Sequence, residues 1–182
     1  LATSYSDTGQ HAKALALKEE TLELRRAKLG HDHPDTLNSM SNLATSYSDT
    51  GQHAKALALK EETLELWRAK LGHDHPDTLG SLLALAATHS KAGQHANALV
   101  AYQDMLPRFR ATLGPDHPHT RMCMSNLANC YSDLGRHDEA LTLAQETLEL
   151  CRAKLGPDHP DTLHSVRTLS RVRDKSDGDA DR

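Results

Sequence analysis

Aromatic side chains are almost missing from this chain: one tryptophan, one phenylalanine and four tyrosines stand among 182 residues. A single large globular core needs more big rings than that, so the core must come from leucine, alanine and methionine in thin layers of closely packed helices. Cysteine is scarce as well. Cys123, Cys130 and Cys151 are odd in number and form no CxxC pair, which favours packed free thiols over a disulfide framework, a metal site or a redox site. No apolar run approaches the roughly eighteen residues of a membrane helix, and no charged start leads into an apolar stretch and a small-residue cleavage site. There is also no long basic stretch: the net charge is −4 and the two signs are interleaved, so the electrostatic source of nucleic-acid affinity is absent. Neither GxSxG nor HExxH nor a phosphate-binding glycine loop nor EF-hand spacing occurs, so no enzyme activity and no cofactor are expected. These absences together point to a cytoplasmic protein without membrane or nucleic-acid partners.

What the chain has in abundance is repetition. Leu1 to Asn42 recurs as Leu43 to Ala84 with five changes: Arg25 becomes Trp67, Asn38 becomes Gly80, and Met40, Ser41 and Asn42 become Leu82, Leu83 and Ala84. Looser copies run over 85–126 and 127–168. A fixed period of this length marks stacked supersecondary units that form one quasi-linear domain. Each period holds two helical segments. Ala56, Leu59, Thr63, Leu64 and Leu66 fall at helical offsets between Gln52 and Leu71, giving an amphipathic helix. Gly72 stops it, and the next helix starts near His75-Pro76-Asp77, where proline fits the first turn and an acidic group lies beside the free amides. The second punctuation is Gly9, Gly51, Gly93 and Gly135, each followed five residues later by alanine (Ala14, Ala56, Ala98, Ala140), which suits tight reversals between antiparallel helices. Asp104 and Pro107 are expected to interrupt the helix after Gly93.

Histidine is plentiful, with 13 in the chain, but His31-Asp32-His33 and His73-Asp74-His75 recur at successive loops, where capping is the simpler role than metal binding. Trp67 has two readings, packing between helices or an exposed contact.

The strings NLAxxYxxxGxxxxAL and LGxDHPDT, at Asn42–Leu57 with Leu71–Thr78 and again at Asn126–Leu141 with Leu155–Thr162, resemble the tetratricopeptide family in its 42-residue, kinesin-light-chain-like form. The resemblance implies an all-α, right-handed solenoid of antiparallel helix hairpins over 1–172; Val166, Leu169 and Val172 suit a capping helix to about residue 174, and the acidic run of Asp174, Asp177, Asp179 and Asp181 reads as a disordered tail over 175–182. It also implies a protein or peptide ligand held on the concave face by the shorter helix of each pair. The family's ligand-facing offsets select Asn38, Asn42, Thr45 and Asp49, then Leu83 and Ala87, then Asn126, Asn129 and Asp133, and finally Arg167 and Arg171. Periodicity independently separates Asn38, Asn42, Thr45 and Asp49 from the apolar stripe of Leu37, Met40, Leu43 and Tyr47. In the resulting groove Leu83 and Ala87 form an apolar centre, and Arg167 with Arg171 could attract an acidic peptide end. The alternative is a structural or self-association arm of a larger signalling protein: Leu1 opens in mid-repeat, so its uncovered apolar face could stack end to end.

Overall fold

The computed structural model describes residues 11–180; the face at Leu1 and the last tail residues, Asp181 and Arg182, lie outside that range. The described residues form helices and no strands: α1 His11–Leu29, α2 Pro34–Asp49, α3 His53–Leu71, α4 Pro76–Lys91, α5 His95–Thr112, α6 Pro118–Asp133, α7 His137–Leu155 and α8 Pro160–Ala180. They fall into two compact units, α1–α4 up to Ala92 and α5–α8 from Gly93. Within each unit every helix packs on its sequence neighbour, and alternate helices also meet, α2 with α4 and α6 with α8. This is layered stacking, without one central core in either unit.

Alanine makes the layers thin. Ala44, Ala56, Ala86, Ala98, Ala128 and Ala140 have no solvent exposure, so backbones approach where a larger side chain would hold them apart. Leucines and the tryptophan fill the remaining space in the first unit, where Leu22, Leu37, Met40, Leu43 and Trp67 form one buried cluster. Trp67 is 6% exposed, which decides its role as inter-helix packing. In the second unit Ala128, Ala144, Leu148 and Leu169 form the corresponding cluster. All three cysteines are buried free thiols, and burial pushes the Cys123 thiol up to about 12.

The corner built by LGxDHPxT is a set of local bonds. Gly156 lies at φ 82°, and its carbonyl accepts from the Thr162 hydroxyl at 2.8 Å, folding the loop back on itself. His159 precedes Pro160, the first helical residue, and its Nδ1 accepts from the Asp161 amide at 3.1 Å. His33, His75 and His117 cap α2, α4 and α6 in the same way. Each repeated histidine thus satisfies one of the amides that a helix start leaves without a partner.

Two expectations are corrected. The helix containing Pro107 is not interrupted: α5 runs unbroken from His95 to Thr112. Pro107 and Gln103, whose carbonyl loses its N–H partner, are both exposed, so solvent can replace the lost bond. The last helix also passes the boundary near 174 and continues to Ala180. Its charges, which suggested disorder, find partners: Lys175 donates to Asp133 at 2.8 Å, and His137 Nε2 lies 3.1 Å from Asp179.

Gly72 sits at φ 83° and ψ 175°, a region closed to side chains. Gly72→Ala is therefore expected to cost about 1–3 kcal/mol, seen as a lower urea midpoint at unchanged m-value. An unchanged midpoint would show that the corner tolerates a different backbone path.

Candidate interaction face

The ligand-facing positions are best followed one unit at a time. In the first unit, Asn38, Asn42, Thr45 and Asp49 are all exposed along α2, one to two turns apart. Asn38 and Asn42 make no side-chain hydrogen bond among the described residues, and Thr45 donates to the Ser41 carbonyl of its own helix at 3.0 Å. Asp49 accepts from Lys91 at 2.8 Å, tying the end of α2 to the end of α4.

The α4 side differs from the expected groove. Leu83 is 4% exposed and counts among the core residues, so it does not offer an open apolar floor; Ala87 is half-buried. The serine-to-leucine change from Ser41 to Leu83 added an apolar side chain at a site that the neighbouring helices cover. Its burial depends on those helices, which is why spacing along α4 alone did not reveal it.

A residue outside the predicted row shapes this face instead. Lys60 of α3 is 3% exposed, and its ammonium donates to the Ser41 carbonyl at 2.9 Å, the Ser41 hydroxyl at 2.7 Å and the Thr45 hydroxyl at 3.3 Å. None of these acceptors carries charge. Burial, with a smaller contribution from the Lys91 charge, lowers the Lys60 pKa from 10.5 to about 8. Lys18, the matching residue of the preceding copy, is half-buried and donates to Ser46. The signal available in the sequence was a lysine at a helix offset occupied in the next copy by Tyr102, which is fully buried.

In the second unit, Asn126 and Asn129 are half-buried on α6, and neither makes a side-chain hydrogen bond among the described residues. Asp133 is at the centre of an ion cluster. Arg171 donates to its two oxygens at 3.1 and 3.2 Å, Lys175 donates at 2.8 Å, and His95 Nδ1 lies 3.4 Å away. Burial pushes the Asp133 carboxyl up, but the Lys175 hydrogen bond and the charges of Arg171, Lys175 and His95 outweigh it and hold the pKa below the usual value. Arg171 is therefore engaged within the unit, whereas Arg167 is exposed and donates only to the Leu163 carbonyl of its own helix.

Among the described residues no group of three or more His, Cys, Asp or Glu is arranged to hold a metal ion. No described helix is long and apolar enough to cross a membrane.

Paired helices that stack in sequence order, with polar side chains along the shorter helices, define a helical-repeat protein of the α-solenoid class. The sequence matches the tetratricopeptide repeat family over residues 1–69, 42–111, 82–153 and 121–182, and the chain belongs to that family. Repeats of this family generally mediate protein–protein interaction, and none of the similarities indicates a catalytic family. Among solved structures, the chain is similar to a candidate kinesin light chain from Podosopora anserina with nearly identical TPR-like repeats. That pair shares 28% identity and a TM-score of 0.81, over 98% of this chain and 84% of the other. BtubC from P. vanneervenii has the same fold at 22% identity and a TM-score of 0.78, over 100% of this chain and 75% of the other. The apo form of RapI aligns with a TM-score of 0.72 at 14% identity, over 97% of this chain and 47% of its own. No protein of curated function matches the sequence.

The buried Lys60 gives a pH test with a definite sign. Between about pH 8 and pH 10.5 the unfolded chain holds the Lys60 proton and the folded chain has released it, so stability should rise with pH across that window. Below pH 8 the protein carries a penalty on the order of 3 kcal/mol. Lys60→Met should be more stable at neutral pH and should flatten this part of the curve, measured by urea denaturation at pH 7, 8, 9 and 10. Parallel curves for the two proteins would rule out a depressed lysine.

Proposed function

We propose that the polar row on the shorter helices holds an extended segment of a partner protein. The observation that carries this reading is the uncommitted state of Asn38, Asn42 and Asn126. Their carboxamides have no partner among the described residues, and two of them are exposed at neighbouring turns of α2. A carboxamide offers both donor and acceptor, the pair needed to bond the backbone of an extended peptide. Four of the five differences between the two near-identical copies fall between positions 80 and 84, on the matching stretch of α4, while corners and core alanines stay the same. Family membership supports the general role as an interaction scaffold.

Lys60, buried behind the row, contributes by fixing Ser41 and Thr45, so the face is held in shape before a ligand arrives. Preorganised contacts lose less conformational entropy on binding. The apolar contribution does not come from Leu83, which the core already uses.

Asn42→Arg and Asn126→Arg add bulk and charge to the row. Each should weaken binding of peptides selected from an array about tenfold, a loss of about 1.4 kcal/mol, without changing the thermal midpoint. Peptide affinity unchanged in both folded variants would reject the row as the binding face. Concentration-dependent assembly without any peptide capture would favour the self-association arm instead.

A further inference from the structure

One position in the repeat holds a different side chain in every copy: Arg25, Trp67, Phe109 and Cys151 are equivalent. The first three are large and end in planar groups. Arg25 and Phe109 both lie where the longer helix meets the start of the next shorter one. The Arg25 guanidinium donates to the Asp35 carbonyl at 2.8 Å and the Ser39 hydroxyl at 2.7 Å. Phe109 is fully buried with its ring 6.1 Å from that of His119, the counterpart of Asp35. Trp67 is buried in its own core cluster. In the last copy the slot holds only a thiol: Cys151 Sγ lies 3.3 Å from the hydroxyl of Ser165, the counterpart of Ser39.

What remains is a pocket of about 290 Å³ within the second unit, between α6, α7 and α8. Cys151 lines it together with Met122 and His164, which occupy ligand-facing offsets of α6 and α8. Met122 is 46% exposed, so the pocket communicates with that row. One wall is Arg121, standing where Leu37 and Leu79 stand in earlier copies. Its side chain is 7% exposed; one end of the guanidinium donates to Asp161 at 2.8 Å and another to the Asp116 carbonyl. Its Nε–H is buried and has no hydrogen-bond partner among the described residues. A leucine-to-arginine change thus brought a fixed cation with an unused donor to the wall of a slot that lost its planar side chain.

We propose that this pocket receives one aromatic side chain of a bound protein segment, a ring supplied by the partner where Trp67 and Phe109 are supplied by the chain itself. The volume suits it: an apolar cavity of about 150 Å³ is enough for benzene, and this one has room for a fused ring. The face of an aromatic ring is attracted to a guanidinium, and Arg121 is already oriented by its carboxylate partner. The inference rests on the peptide-binding reading of the same face, so its test separates the two.

Indole serves as the probe, titrated against the whole chain while the Met122 methyl resonance is followed by NMR. Cys151→Phe restores the internal ring and should weaken indole binding at least tenfold, whereas Cys151→Ala should leave it within about threefold. Met122→Glu, at an exposed position, should also weaken indole binding and keeps the test open should the Phe variant fail to fold. No response of Met122 to saturating indole, or equal indole affinity in wild type, C151F and M122E, overturns the pocket. A peptide array run on the same proteins supplies the second arm. Aromatic-containing peptides captured by wild type and lost by C151F support the whole proposal. Peptide capture unchanged by these variants, with no indole response, removes the pocket and leaves the peptide reading standing. Indole binding with no peptide captured supports the ring pocket and removes its peptide ligand.

Discussion

No helix in this protein can cover its own apolar stripe, and burial by the next helix is the constraint that organises the rest. Ala44 and Ala56, or Ala128 and Ala140, leave so little side chain between helices that the layers touch through their backbones. Such thin layers leave few places for large groups, which explains how a chain with so few aromatic residues still packs. The one tryptophan and one phenylalanine sit at equivalent positions of two copies, and both are buried. Close packing also makes the corners strict. A loop displaced by even one residue would turn every stripe away from its neighbour, and the glycine carbonyl, threonine hydroxyl and histidine ring hold it in register.

The corners and helix starts were legible in the sequence because their chemistry is local. Glycine, histidine and proline act within a few residues of where they stand, and each corner was placed from those residues alone. The capping atom was not: that His159 Nδ1, in particular, takes the Asp161 amide needed coordinates. Long-range pairings were less legible still. Leu83 resembles an open apolar contact by its offset and is buried by its neighbours, while Lys60 resembles a solvated helix residue and is buried behind the polar row. Asp133 and Arg171 were read as ligand-facing and Lys175 as part of an acidic tail, yet Asp133 at the end of α6 meets Arg171 and Lys175 of α8 in one cluster. In each case the deciding partner belongs to another helix, about one period or less away, and no local pattern announces it.

A division of labour follows from these placements. The invariant residues of the repeat set corners and close approaches, and they carry no ligand preference. The positions that differ between the two near-identical copies lie on the shorter helices and at the slot where Arg25 becomes Trp67. Family membership therefore speaks for the scaffold, and any choice of partner must come from the few places where the copies disagree. Stability and specificity are thereby assigned to different residues, which lets one change without the other.

The links between Asp49 and Lys91, and between Asp133 and Lys175, join positions one full period apart, and acid and base alternate at this offset from Asp49 to Lys175. Asp7, the counterpart in the first copy, stands outside the alternation. Excising a single 42-residue copy over 50–91 would bring Asp133 to the place of Lys91 and set two carboxylates against each other; removing two copies would restore an acid–base match. Surface pairs of this kind contribute only about 0–1 kcal/mol each, yet over the stretch from Asp49 to Lys175 the preference has a parity, so that the loss of one copy breaks the match and the loss of two keeps it.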